Sequence, residues 1–286
     1  MSKILNGKEL SEEKVLDFSK RINELIKKGI NPKLVVIIVG NNPASATYVR
    51  NKIKYSNKVK LNSETIELPE YTSEDDLIAL ITKLNSDDSV HGILVQFPLP
   101  KHINEFNIKC SINKHKDVDC FNPVNVGLFF MNKSYTSPCT PAGVIEILNR
   151  NKIDVSGKKA VILGRSLISG KPMAELLNQL NASTIILHSK TPKEDMIFFL
   201  KNADIIVSAV GSTKFIKEDM IGENQILIDI AMNRDENNNL CGDFDHACYK
   251  KAAYYTPVPG GVGPMTIAIL VENTLTCADF FANKQK

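Results

Sequence analysis

The chain has 286 residues, 35 Lys plus Arg against 32 Asp plus Glu, and 43% hydrophobic residues, which fits a globular protein of one large α/β unit or two domains. Its slight positive excess is spread out and not interleaved with aromatics, which argues against a nucleic-acid groove. The six cysteines form no CxxC pair and read as reduced thiols, and the spacing of Cys241, His246 and Cys248 fits no zinc pattern, so no metal is expected.

The amino terminus, MSKILNGKELSEEKVLDF, turns charged where a secretory signal needs its apolar stretch. The longest apolar runs, such as 34–39, fall far short of the roughly 20 residues a membrane span requires. A cytoplasmic protein with no membrane partner is the expectation. From Asn31 onward, the strand-like runs LVVIIV (34–39), TIEL (65–68) and GILVQF (92–97) alternate with helical patterns, the sign of parallel strands joined by helical crossovers. One helix is predicted from Pro43 toward Lys60, and another after Ser73, which caps it, with Asp76 closing the capping box.

Residues 101–139 read as loops and short helices, after which the α/β rhythm resumes. A helix follows Pro141, then strand KKAVILG (158–164), a helix from Pro172 to Leu180 and strand STIILH (183–188). Strands ADIIVSAV (203–210) and QILIDIA (225–231) extend the second sheet, with DENNNL (235–240) as a surface loop. After the Pro/Gly-rich TPVPGGVGP (256–264), a last helix from Thr266 carries Ile267, Leu270, Val271, Thr274 and Leu275 at helical spacing. Periodicity leaves open which domain it packs on.

The turn GRSLISGKP (164–172) joins the first strand of the second unit to its helix, where a doubly wound domain binds pyrophosphate. It is not GxGxxG, because Arg165 stands where the second glycine would be, and a plain β-α turn is the competing reading. The next strand offers no Asp or Glu for a ribose 2′-hydroxyl and ends instead in His188-Ser189-Lys190-Thr191. With Arg165, these hydroxyls and a cation suit a 2′-phosphate, which favours NADP over NAD, although Ser189 and Thr191 also fit ordinary capping before Pro192. Ile230 and the small Ala231, at the end of the fourth strand, can present backbone to a nicotinamide.

In the first predicted helix, Tyr48, Lys52 and Tyr55 share a face. A lysine between tyrosines in a partly apolar setting can lose its charge by desolvation and act as a base, with Tyr48 offering a flat ring; a solvated surface lysine is the alternative. Gln96 interrupts an apolar run near a parallel strand's carboxyl end, where ligands bind in open sheets, and an amide there can hold Lys52. Asp119 in DVDCFNP can bond an amino-pyrimidine edge or cap its own turn.

Together, VGNNPASATYVRNK (39–52), GILVQFPLP (92–100), DVDCFNPVNVG (117–127), PCTPAG (138–143), GRSLISGKP and TPVPGGVGPMT (256–266) resemble one family across essentially the whole chain. It is the bifunctional methylenetetrahydrofolate dehydrogenase/methenyltetrahydrofolate cyclohydrolase family. The resemblance implies two α/β domains around a cleft: a folate-binding catalytic domain over 1–119, on which helix 266–286 packs back, and a Rossmann-like NADP-binding domain over 120–265. It implies NADP-dependent oxidation of 5,10-methylenetetrahydrofolate to the methenyl form, then hydrolysis to 10-formyltetrahydrofolate, within one-carbon metabolism. Lys52 would activate water and shuttle protons, with Gln96 positioning it, Tyr48 stacking on the folate and Asp119 holding the pterin. Gly164, Arg165, Ser166, Ser189 and Ile230 would contact NADP, and Gly261 to Thr266, with Pro264 among them, would face the folate. The resemblance further implies a homodimer formed through the cofactor domains.

Several residues depart from the family pattern: Cys120 and Asn122 for a glycine and a histidine, Ser169 and Phe244 for valines, Ala231 for a glycine. If position 120 needs a positive φ, cysteine is strained there and can displace Asp119. Rival readings are a dehydrogenase with little cyclohydrolase activity, a catalytically silent NADP- or folate-binding module, and an NADP-dependent reductase of an unrelated small substrate. Retention of Tyr48, Lys52, Gln96 and the PGGVGPMT turn argues against the first two, and only folate binding separates the third.

Overall fold

The structure is a computed structural model describing residues 2–284, apart from the side chains of residues 43–47, 283 and 284, so the end of the predicted 266–286 helix lies outside the described residues. In chain order the elements are β1 (Lys3–Ile4), α1 (Gly7–Lys27), β2 (Lys33–Val39), α2 (Pro43–Lys58), β3 (Asn62–Leu68), α3 (Glu74–Ser86), β4 (Gly92–Val95), α4 (Glu105–Ser111), α5 (Pro123–Phe130) and α6 (Cys139–Arg150). There follow β5 (Lys159–Leu163), α7 (Gly170–Gln179), β6 (Ser183–Leu187), α8 (Lys193–Lys201), β7 (Ile205–Ser208), β8 (Gln225–Asp229), β9 (Asn233–Arg234), β10 (Leu240–Cys241), β11 (Ala252–Tyr255) and α9 (Val262–Lys284).

Contacts divide the chain into two compact units: 13–139 with the segment from Ile267 on, and the segment up to Glu12 with 140–266. The predicted boundary at 119/120 therefore falls at 139/140. Hydrogen bonding accounts for the difference, because the buried Asp117 carboxylate accepts from the amides of Phe121 (3.1 Å) and Asn122 (2.8 Å) and from Asn125 Nδ2 (2.9 Å). Cys139 Sγ also reaches the Val118 carbonyl at 3.3 Å. Residues 120–139 are thus tied to the strand before them.

The unit built on 13–139 carries a parallel sheet of order β3-β2-β4. Val35, Ile37 and Val39 of β2, with Ile93 and Val95 of β4, pack with Leu77, Ile81 and Leu84 of α3 and Ile108 of α4. Each such burial contributes on the order of 1.5–3 kcal/mol. The opposite face meets α9: a Cβ on Gly92 would lie 2.7 Å from Val118 Cγ1 and 3.2 Å from Thr274 Cγ2, so glycine is required for this approach. On α3, Ser73 Oγ accepts from the Asp76 amide at 3.1 Å as expected, but it also donates to Asp76 Oδ2 at 2.6 Å. The acidic side chain therefore meets the capping hydroxyl and does not close the box on the Ser73 amide.

The other unit holds a parallel sheet of order β6-β5-β7-β8-β11-β1 among the described residues, with β9 and β10 as a small antiparallel ladder. The chain winds from β5 outward to β6, then returns to the other side of β5 with β7 and continues to β8 and β11. Order 2-1-3-4-5 has its switch point between β5 and β7, where a doubly wound sheet binds its ligand. Register puts Leu163, Leu187, Ser208 and Asp229 in one row at the carboxyl ends of β5, β6, β7 and β8.

Two predicted strands end early, at Ser208 and Asp229, for a shared reason. The amide of Val210 turns to Asp243 Oδ2 (2.8 Å) and that of Ala231 to Asp229 Oδ1 (3.2 Å), so side-chain acceptors interrupt the ladder. Helix α9 begins at Val262, before the predicted Thr266. Its span Val262–Ala282, mean hydropathy 1.3, is long and apolar enough on length and composition to cross a membrane, but 61% of it is buried inside the protein, as expected of a core helix. Scanning for unbroken apolar runs misses it because Glu272, Asn273 and Thr274 interrupt the sequence.

Candidate active site

In the 13–139 unit, α2 carries Tyr48 and Lys52 one turn apart, and β4 delivers Gln96 just past its carboxyl end. Lys52 is 6% exposed, and its Nζ donates to Gln96 Oε1 at 3.0 Å. Gln96 Nε2 donates to the Phe97 carbonyl at 2.7 Å, which turns the amide oxygen toward the lysine. Lys52 Nζ also lies 5.5 Å from the Tyr48 ring centroid. Burial lowers the Lys52 pKa from its ordinary value, and the negative charge of Asp119 pulls the other way. The same carboxylate, after burial itself, helps raise the Tyr48 phenol. A buried amine biased toward its neutral form, beside a ring and a carboxylate, can accept a proton from a nearby reactant.

Asp119 stands in the loop that Asp117 organises, and Ile93 pairs with Asp117 as a parallel bridge, so β4 fixes that loop. Cys120, next in the chain, adopts φ 60° while 2% exposed; the left-handed conformation that its replaced glycine would allow is therefore real. Asn122, in place of the usual histidine, caps α5 by accepting from the Val124 amide at 2.8 Å and donates Nδ2 to the Ile112 carbonyl at 2.8 Å. Sequence reasoning missed Cys139, whose buried thiol is raised well above its ordinary pKa by burial and then by Asp119, to which it is hydrogen-bonded. It also missed Asn273, which donates to the carbonyls of Val118 and Ser137, each at 2.8 Å. Asn273 lies within the polar run Glu272-Asn273-Thr274 of that helix, and nothing in the run singles it out.

In the other unit, Gly164, Arg165, Ser166, Ser189 and Ile230 all fall on the rim beyond the carboxyl ends of the strands. Gly164 has φ 115°, and a Cβ there would lie 2.7 Å from the Ala209 carbonyl oxygen across the switch point. A Cβ on Gly170 would lie 2.2 Å from the Gly164 oxygen, so two glycines keep this turn compact. Arg165 and Ser166 are exposed along it, as are Ser189 and Lys190 at the end of β6. Ser166 Oγ accepts from the amides of Ser169 (3.1 Å) and Gly170 (3.4 Å), capping the start of α7. Thr191 is used locally, its Oγ1 accepting from the His188 amide at 3.0 Å. The glycine-lined turn and exposed cations and hydroxyls fit a dinucleotide, with an extra phosphate at the β6 end.

Gly261, Pro264 and Thr266 belong to this second unit, at the start of α9, and not to the unit that holds Lys52. The Gly261 amide donates to the Pro257 carbonyl at 2.8 Å, and a Cβ on Gly7 would lie 1.9 Å from the Gly261 oxygen. Thr266 Oγ1 is 3.1 Å from Thr140 Oγ1 and 3.4 Å from the Val262 carbonyl. Among the described residues, no group of His, Cys, Asp and Glu could hold a metal ion.

A dinucleotide-type sheet in one unit and a buried lysine–glutamine pair in the other define a two-unit α/β enzyme of the oxidoreductase class. Residues 5–119 match the model of the tetrahydrofolate dehydrogenase/cyclohydrolase catalytic domain, and 138–282 that of its NAD(P)-binding domain, so the chain belongs to the tetrahydrofolate dehydrogenase/cyclohydrolase family. It is 48% identical over 279 residues to the bifunctional protein FolD of Listeria innocua, covering 97% of this chain and 98% of that one. The crystal structure of the bifunctional FolD dehydrogenase/cyclohydrolase from Campylobacter jejuni superimposes with a TM-score of 0.95 at 44% identity, covering 98% and 99% of the two chains. The Trypanosoma brucei dehydrogenase-cyclohydrolase, solved with NADP cofactor and inhibitor, gives 0.93 at 33% identity over 98% of each.

Proposed function

We propose that this chain carries both activities of its family: NADP-dependent oxidation of 5,10-methylenetetrahydrofolate to 5,10-methenyltetrahydrofolate, and hydrolysis of that product to 10-formyltetrahydrofolate. The observation that carries the reading is the buried Lys52 amine held on Gln96 Oε1 beside Tyr48 and Asp119. When bound, NADP supplies the hydride acceptor for the first reaction. The substrate's own nitrogens stabilise the cationic methenyl carbon that results, so the protein's task in that step is alignment. Gly164 permits close approach of the turn, Arg165 and Ser189 take the phosphates, and Ser166 and Ile230 shape the rim.

The second reaction needs a base. Water adds through oxygen to the methenyl carbon and one of its protons passes to neutral Lys52 Nζ. The bond from that carbon to N5 then breaks as the carbon–oxygen double bond forms, the ammonium returns its proton to N5, and the remaining hydroxyl proton leaves to solvent, so the cationic substrate gives the neutral formyl product and one proton. Gln96 holds the amine in position as its charge changes. Tyr48 offers its ring to the folate, and Asp119 accepts from the amino-pyrimidine edge, with Gly261, Pro264 and Thr266 as further folate contacts. We also propose a cytoplasmic enzyme that forms a homodimer through the cofactor-binding unit. Exposed Ile186 on edge strand β6 and Phe198 on α8 support that surface, and sedimentation tests it.

The deciding experiment follows NADP reduction with 5,10-methylenetetrahydrofolate and, separately, decay of methenyltetrahydrofolate above its spontaneous rate. Both activities are expected. NADP-linked turnover without accelerated hydrolysis would leave a dehydrogenase alone, and neither activity in folded protein would overturn the reading.

A further inference from the structure

Asp243 has no part in the chemistry above, yet it is fully buried and gathers more donors than any catalytic side chain described here. Its Oδ2 accepts from Ser208 Oγ (2.7 Å) and from the amides of Val210 (2.8 Å) and Gly211 (3.2 Å). Its Oδ1 accepts from the Ser212 amide (2.8 Å) and Asn233 Nδ2 (2.9 Å). Three successive backbone amides after β7 thus wrap around one carboxylate, with Gly211 at φ 75° making the bend. The backbone so held is exposed at Val210, Gly211 and Ser212, and it continues Ala209, whose carbonyl abuts Gly164 across the β5–β7 switch point. Asp243 is itself anchored, its amide donating to Asp229 Oδ2 at 2.8 Å.

We propose that Asp243 is a positioning residue for cofactor binding, its carboxylate fixing the 210–212 turn as the second wall of the dinucleotide crevice opposite the Gly164 turn. The proposal rests on the reading that this rim holds NADP. A buried carboxylate that ties the end of one strand to a side chain beyond the next gives the turn one geometry before the ligand arrives, so binding does not have to order it. An amide in its place keeps the size but presents two hydrogens to a ring of donors.

The test is NADP titration of wild type, Asp243→Asn and Asn233→Ala by calorimetry, with dehydrogenase kinetics against NADP and methenyl hydrolysis measured without NADP. Asp243→Asn is expected to weaken NADP binding and raise its KM about ten-fold, with kcat at saturating NADP falling much less. Asn233→Ala, which leaves the carboxylate in place, is expected to give a smaller loss of the same kind, and it carries the test if Asp243→Asn does not fold. Hydrolysis is the readout that a general loss of structure would move, and a parallel fall in hydrolysis and NADP affinity would overturn a positioning role. NADP affinity within two-fold of wild type in folded variants would also overturn it. Wild-type protein that binds no NADP would overturn the cofactor reading itself, which separates that failure from this one.

Discussion

Asn273, on the last helix, holds the carbonyl of Val118 at 2.8 Å, and Val118 is the residue immediately before Asp119. One buried amide also holds the Ser137 carbonyl, so it clasps both ends of the 118–137 segment. Asn273→Ala leaves those two carbonyls without this donor. The expected cost is about 1–3 kcal/mol of stability, read from urea unfolding, together with weaker folate binding, because Asp119 loses its anchor. Unchanged stability would show that the clasp is dispensable.

Lys52 must be neutral to accept a proton, so hydrolysis should rise with pH through a pKa below the usual lysine value, as burial dictates. Lys52→Met should abolish hydrolysis while folate and NADP still bind; full activity would sink the assigned role. Gln96→Glu places a carboxylate against the amine and favours its charged form, which should move the ascending limb of the pH–rate profile to higher pH. A limb that stays in place would argue that another group titrates.

Cys120 combines a left-handed backbone with a buried side chain, so two substitutions separate those effects. Cys120→Ala keeps the strained φ and loses packing, whereas Cys120→Gly loses packing but relieves the backbone. The glycine variant should exceed the alanine variant in unfolding free energy by about 1 kcal/mol. The reverse order would mean that the loop relaxes elsewhere.

Asp229 is a buried carboxyl whose pKa is pushed up to about 7, by burial first and with a contribution from the charge of Asp243. Its folded-state value lies above the unfolded one, so the folded protein retains a proton that the unfolded chain releases. That stability is fully present below the unfolded value of about 3.9 and is lost as pH rises through the folded pKa. Asp229→Asn should flatten the dependence of Tm on pH across that window. The three amides that Asp229 accepts, from Ala231, Asp243 and Phe244, make some overall loss of Tm the expected accompaniment.

Apolar runs made β2, β4, β5, β7 and β8 legible from sequence, because parallel strands buried on both faces read as nearly continuous apolar runs, while edge strand β6 showed by its β-branched TII. The helix α1 escaped notice despite Phe18, Ile22 and Leu25 at buried, helix-spaced positions, since its remaining residues are mostly charged. β1 and β11 were illegible for a different reason: two residues of one and the half-buried AAYY of the other become strands only by pairing across the chain. The site divided similarly. Lys52, Gln96 and Tyr48 could be placed by helix spacing and strand ends, whereas Cys139, Asn273 and Asp243 act through contacts between segments far apart in sequence.

The pairing of Lys3 with Tyr254 has a consequence for how the protein is made. β1 has no neighbour until β11 follows, and the elements between them are all made in the interval, at about 5–20 residues per second. The face of the three-stranded sheet at Gly92 waits longer still, because α9, which covers it, follows β11 in the chain. Both parallel sheets therefore stay incomplete while the elements between are made, one with a bare edge and the other with a bare apolar face, and the nascent protein is most in need of protection from its neighbours just before α9 emerges.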